Sequence, residues 1–138
     1  MRFMMFIKMD ASDENFQPTE ADVAAMARYN EELTKAGALL ALDGLQPPSK
    51  GAVVTFSSDG KATVTDGPYA EAKEVVGGYW IIQTKSKEEA VEWATRVPGD
   101  ERSTIELRQI FEMSDFSPEL QAAAGDWSVA PPEQTSDN

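Results

Sequence analysis

Val75-Val76-Gly77-Gly78-Tyr79-Trp80-Ile81-Ile82-Gln83-Thr84 is the stretch on which the fold turns. Side chains two apart along a strand share a face, so strict alternation marks a strand buried on one side only. Here Tyr79, Trp80, Ile81 and Ile82 make both faces apolar. A strand of that kind belongs in the middle of a sheet covered on both sides. The first strand repeats the property. Phe3, Met5, Ile7 and Met9 alternate along one face, and Met4 and Phe6 occupy the other.

Outward from these two strands, the rest of the order follows. Thr19 caps a helix that opens at Pro18-Thr19-Glu20-Ala21-Asp22, with Asp22 placed to reach back as in a capping box. Val23, Met26, Ala27, Asn30 and Leu33 recur at helical spacing, and Gly37 suits a left-handed helix end. Leu39 to Leu45 reads as a strand, closed by Gly44 and Pro47-Pro48. Two β-branched runs, Ala52 to Ser57 and Lys61 to Thr65, flank Asp59-Gly60 and predict a hairpin. Ser86-Lys87-Glu88-Glu89 is a second capping box, followed by a stripe of Ala90, Val91, Ala94 and Val97, with Trp93 beside it and Pro98-Gly99 as the stop. Thr104 to Phe111 is the last strand, with Ile105 and Leu107 on one face and Glu106 and Arg108 on the other.

This order is βαββαβ with a hairpin inserted in the middle: an α+β, ferredoxin-like domain with an antiparallel sheet and both helices on one face. Two central strands apolar on both faces leave the other face uncovered. A second copy packed sheet to sheet covers it, which predicts a homodimer with twofold symmetry. The alternative is that the inserted hairpin or the tail folds over that face. The domain spans residues 1–112. Residues 113–138 carry five acidic side chains and no basic one, which predicts a largely flexible tail. Within it a short helix near Pro118 to Ala124 is compatible with the residues, and Trp127 is the one side chain suited to docking.

Composition narrows the chemistry. The 138 residues include no cysteine and no histidine, which removes thiolate chemistry, disulfides, the commonest general base near neutral pH and the commonest metal ligand. Asp and Glu number 24 against 12 Lys and Arg, a formal charge of −12. Such an excess of anions opposes binding to nucleic acid or to acidic membrane surfaces. The apolar run at Phe3 to Ile7 is short and ends at Lys8 and Asp10, so it does not read as a signal peptide. No segment approaches the roughly 18 apolar residues of a membrane span. These features predict a cytoplasmic protein. No glycine-rich phosphate loop, Gly-x-Ser-x-Gly elbow or zinc ligand set is present, and neither a cofactor nor a metal is expected.

The segment leading into the central strand carries the densest signal: Asp66-Gly67-Pro68-Tyr69-Ala70-Glu71-Ala72-Lys73-Glu74, continuing to Gly77-Gly78-Tyr79. Asp-Gly-Pro is turn chemistry, and glycine at the head of a strand marks a bulge or a close approach of another backbone or ligand. The whole segment resembles the signature of the DGPF branch of the YCII-related family, which runs DGPF, then A-E-x-K-E, then G-G-Y. Tyr69 stands in the aromatic position. Ala36-Gly37, Leu42, Gly44-Leu45 and Pro47 resemble the family's passage from first helix to second strand. The resemblance covers residues 1–112 and implies a dimeric α+β barrel. In the wider family a His–Asp pair is proposed as catalytic. With no histidine here, only Asp66 resembles a member of that pair. Some relatives of this branch are associated with sigma factors, which implies a regulatory protein as partner.

Two functional readings follow. In the first, the protein binds a small molecule in a pocket near the Asp66–Lys73 loop, with lyase- or dehydrochlorinase-type acid–base chemistry by analogy: Asp66 as base and Lys73 as electrostatic partner. In the second, it is a non-catalytic regulatory or interaction module. Each residue also has a plainer role. Asp66 suits an Asx-type turn. Lys73 suits a surface pair with Glu71 or Glu74. Those two carboxylates would make a pair for a hard cation, but no third ligand stands nearby. Tyr69 and Tyr79 suit either a pocket wall or ordinary packing. Arg28 suits a ligand or a solvated helix surface.

Overall fold

Thr19 and Asp22 exchange hydrogen bonds across the start of the first helix: the Thr19 backbone N–H donates to the Asp22 carboxylate at 2.9 Å, and the Asp22 N–H to the Thr19 hydroxyl at 3.1 Å. This capping box opens α1 (Glu20–Lys35), which ends at Gly37 with φ of 69°. A computed structural model describes residues 1–13, 17–67 and 72–125. In these the strands are β1 (Arg2–Asp10), β2 (Leu39–Gly44), β3 (Ala52–Phe56), β4 (Ala62–Asp66), β5 (Glu74–Gln83) and β6 (Ser103–Gln109). The later helices are α2 (Lys87–Thr95) and α3 (Pro118–Ala124).

The main sheet runs β2-β5-β1-β6, with every neighbouring pair antiparallel. The order is the ferredoxin-like one, with the two doubly apolar strands, β1 and β5, in the centre. Phe3 and Met5 of β1, Trp80 and Ile82 of β5, Tyr29 and Leu33 of α1, and Ala90 of α2 form one buried cluster. Both long helices therefore cover the same face. Three aromatic rings tie the layers together. Tyr29 meets Trp80 edge-on at 5.9 Å and Trp93 at 6.3 Å, and its hydroxyl donates to the Trp93 carbonyl at 2.8 Å. Burial pushes the Tyr29 phenol up to about 12.

Three local expectations need correction. Val23 is 56% exposed and Val91 is 42% exposed, so neither belongs to the buried stripe of its helix. Ser86 does accept from the Glu89 N–H, at 3.1 Å, but the Glu89 carboxylate reaches past Ser86 and accepts from the Lys85 N–H at 2.9 Å. The second cap is thus shifted by one residue from a reciprocal box.

β3 and β4 form a sheet of their own. Gly60, with φ of 81°, closes the turn, and every residue of both strands is exposed, including Val53, Val54, Val64 and Phe56, the last at 74%. The hairpin therefore does not cover the open face of the main sheet, where Met4, Phe6 and Ile81 are half-buried. Beyond the last strand, residues 113–125 form a short turn and α3, with Phe111 stacked on Phe116 at 5.0 Å. Trp127 and the rest of the acidic tail lie outside the described residues.

Candidate functional site

Along α1, the side chains facing the sheet change character at Tyr29. Tyr29 and Leu33 are buried, whereas Val23, Met26, Ala27 and Asn30 line open space. The cause lies in β5. Its pleat puts Gly78, Trp80 and Ile82 on the helix face, and Gly78 supplies no side chain to fill the gap beneath the helix. A Cβ at Gly78 would stand 3.0 Å from the Asp43 carbonyl of β2 and 3.6 Å from Ile7. Gly77 is the extra residue of a bulge: Ile7 pairs with Gly78 and Lys8 with Val76. The bulge and close approach expected of Gly77-Gly78 are both present.

The result is a cleft of about 360 Å³ between α1 and the sheet, walled by Ile7, Met9, Met26, Leu42 and Trp80. A second concavity of about 600 Å³ shares Ile7, Pro18, Met26 and Asn30 with it and continues past Val23 to Asp22, Asp100 and Arg102. Asn30 is the polar residue common to both. Its Oδ1 accepts from the Trp80 indole N–H at 2.8 Å. On the opposite, open face of the sheet the Tyr79 hydroxyl donates to the Asp43 carboxylate at 2.8 Å, and this bond raises the Tyr79 pKa. At the far end Arg102 is bound to Asp100 at 2.6 Å, which holds the Asp100 carboxyl below its usual range.

The chain matches the YCII-related domain over residues 1–114. The chain belongs to the YCII-related family. It is also 31% identical over 93 residues to Uncharacterized protein R00369 of Rhizobium meliloti (strain 1021), an alignment covering 67% of this chain and 72% of that protein.

Within this YCII-related domain the expected site residues are scattered. Tyr79 borders the cleft through its place in β5, while its side chain lies on the open sheet face with Phe6. Asp66 and Lys73 are exposed, and neither lines the two concavities under α1. The Asp66 carboxylate makes no hydrogen bond among the described residues. The motif residue with a clear mechanical task is Gly67: a Cβ there would lie 1.9 Å from the Pro48 carbonyl oxygen. Glu74 pairs with Lys8 at 3.4 Å rather than with Lys73, and Lys8 also meets Glu106 at 3.3 Å. Those two carboxylates, Glu106 first, raise the Lys8 pKa. Arg28 is exposed on α1 away from the cleft. Tyr69 and Glu71 lie outside the described residues. Among the described residues no group of three acidic side chains is placed to hold a metal ion, and no helix is long and apolar enough to cross a membrane.

The periodicity puts Asn30 and Met26 in one helical stripe and Trp80 in a central strand, and marks none of them as a site residue. The available signal was Asn30 itself: an amide at a stripe position, opposite a strand carrying two glycines.

Proposed function

We propose that this YCII-related domain binds a small, largely apolar molecule in the cleft beneath the first half of α1. The observation that carries the proposal is the open space under a helix stripe of core-type residues, set against the missing side chain at Gly78. Binding sites are commonly concave and mostly apolar, with a few polar groups that fix orientation. Asn30 stands where such a group is needed. The test is a titration of uncharged aromatic fragments against methyl-labelled protein. Shifts confined to Met26, Ile7 and Leu42 support the cleft. Shifts confined to residues 66–74 move the site to the loop. A library that shifts neither set defeats the proposal.

The finer reading places the chain in the DGPF branch and gives Asp66 and Lys73 lyase- or dehydrochlorinase-type proton chemistry. Both side chains are exposed, so this chemistry requires a further surface to enclose them. A second copy packed on the open sheet face is the proposed source. The half-buried Met4, Phe6 and Ile81 support such a homodimer, and a monomeric mass by light scattering at micromolar concentration removes it. The regulatory-module reading draws on a different feature, the apolar hairpin exposed on both faces. A cytoplasmic location belongs with all of these readings.

A further inference from the structure

The cleft has an oriented donor. An indole N–H can only donate, so the Asn30 amide must turn its oxygen toward Trp80, and its NH₂ group faces the other way. That NH₂ has no acceptor among the described residues, although no fully buried side-chain polar atom among them is left unpaired. The group is therefore open to the space that Asn30 lines. The cleft wall that Asn30 shares is made by Ile7, Met26, Leu42 and Trp80, whose side chains offer no strong acceptor of their own.

We infer that Asn30 is the recognition residue of the cleft and that its Nδ2 donates to the carbonyl oxygen of a neutral, otherwise apolar ligand. The inference rests on the cleft being the binding site. Three observations select the class. A donor set in an apolar wall gains most from an acceptor brought in without water. The Trp80 bond fixes the amide, so the donor is held in place before a ligand arrives. The charged groups along the connected concavity are the carboxylates of Asp22 and Asp100, and the Arg102 guanidinium is bound to Asp100. That balance disfavours an anionic acceptor such as a carboxylate and leaves ketones, esters and amides.

The experiment uses three probes on nitrogen-15-labelled full chain: acetanilide, N-ethylaniline, which keeps the ring but has no carbonyl, and benzoate, which is anionic. Acetanilide should shift the Asn30 side-chain amide and the Trp80 indole signals. N-ethylaniline and benzoate should bind roughly tenfold more weakly, the worth of about one hydrogen bond. Asn30→Asp keeps an oxygen facing Trp80 and removes the donor, so acetanilide affinity should fall by a similar factor. The wild-type comparison of probes needs no variant and stands if Asn30→Asp does not fold. Equal binding of acetanilide and N-ethylaniline at the cleft would overturn the role of Asn30 and leave the cleft as a site. Tighter binding of benzoate would overturn the neutral class. No cleft signal moving with any probe would overturn both the inference and the reading beneath it.

Discussion

The two halves of α1 face the same sheet and meet it differently. In the second half, Tyr29 and Leu33 sink into contact with Trp80, Ile82 and Met5, and an aromatic cluster joins α1 to α2. In the first half, residues of the same general type, Val23, Met26 and Ala27, line open space, and Met26 shares the cleft with Gly78, a position that offers no side chain. Helix periodicity alone does not tell the halves apart, because a stripe of apolar residues is needed by a core and by an apolar site alike. What separates them is the volume offered from the opposite side. The packed half provides stability, and the open half leaves the space in which a ligand is proposed to bind.

The largest expected effect tests that division directly. Leu33→Ala removes a fully buried side chain and should cost about 2–5 kcal/mol in denaturant unfolding. Val23→Ala, in the open half, should change stability by less than about 0.5 kcal/mol. Equal costs would break the comparison, because they would mean that the cleft is closed in solution. Tyr29→Phe deletes the bond to the Trp93 carbonyl and should cost about 1 kcal/mol. It should also remove an alkaline limb. The folded phenol titrates at about 12, above its ordinary 10.0, so its contribution is intact below pH 10. From there it declines, because the unfolded chain ionises first, and it is lost as pH rises through about 12.

Thr19→Ala should cost about 1 kcal/mol, since the cap secures the open half at its start. The Thr19 N–H bond holds the Asp22 carboxyl below its usual range. Its contribution is therefore present above the ordinary aspartate pKa and is lost as pH falls through the lower folded value. Acid titration followed by circular dichroism should show this limb weakened in Asp22→Asn. The smallest stability effect belongs to Ala27→Leu, which fills the adjoining concavity and not the cleft itself. Stability should stay within about 0.5 kcal/mol of the parent while fragment binding in the cleft is retained. A well-folded Ala27→Leu protein that no longer binds would move the site from the cleft to the adjoining concavity.

Much of the fold was legible in the residues because each element carried its own local chemistry. Thr19 with Asp22, Gly37, Asp59-Gly60 and the doubly apolar β1 and β5 each act over a few positions, and each did what its chemistry required. The site was less legible, for two reasons. The Asp66–Glu74 motif drew attention by its density, yet Gly67 answers to the nearby Pro48 backbone rather than to any visible chemistry. The cleft, by contrast, depends on Asn30 meeting Trp80 across fifty positions of sequence, a pairing that no local pattern announces.

The β3–β4 hairpin has a consequence for exchange with solvent deuterium. Among the described residues no layer covers its cross-strand amides on either side, and a lone two-stranded ribbon is only marginally stable. They should open and exchange independently of the centre of the main sheet, giving the protein a fast clock beside a slow one. Any partner that settles on the ribbon would slow the fast clock alone, so the exchange rates would show both that something has bound and where.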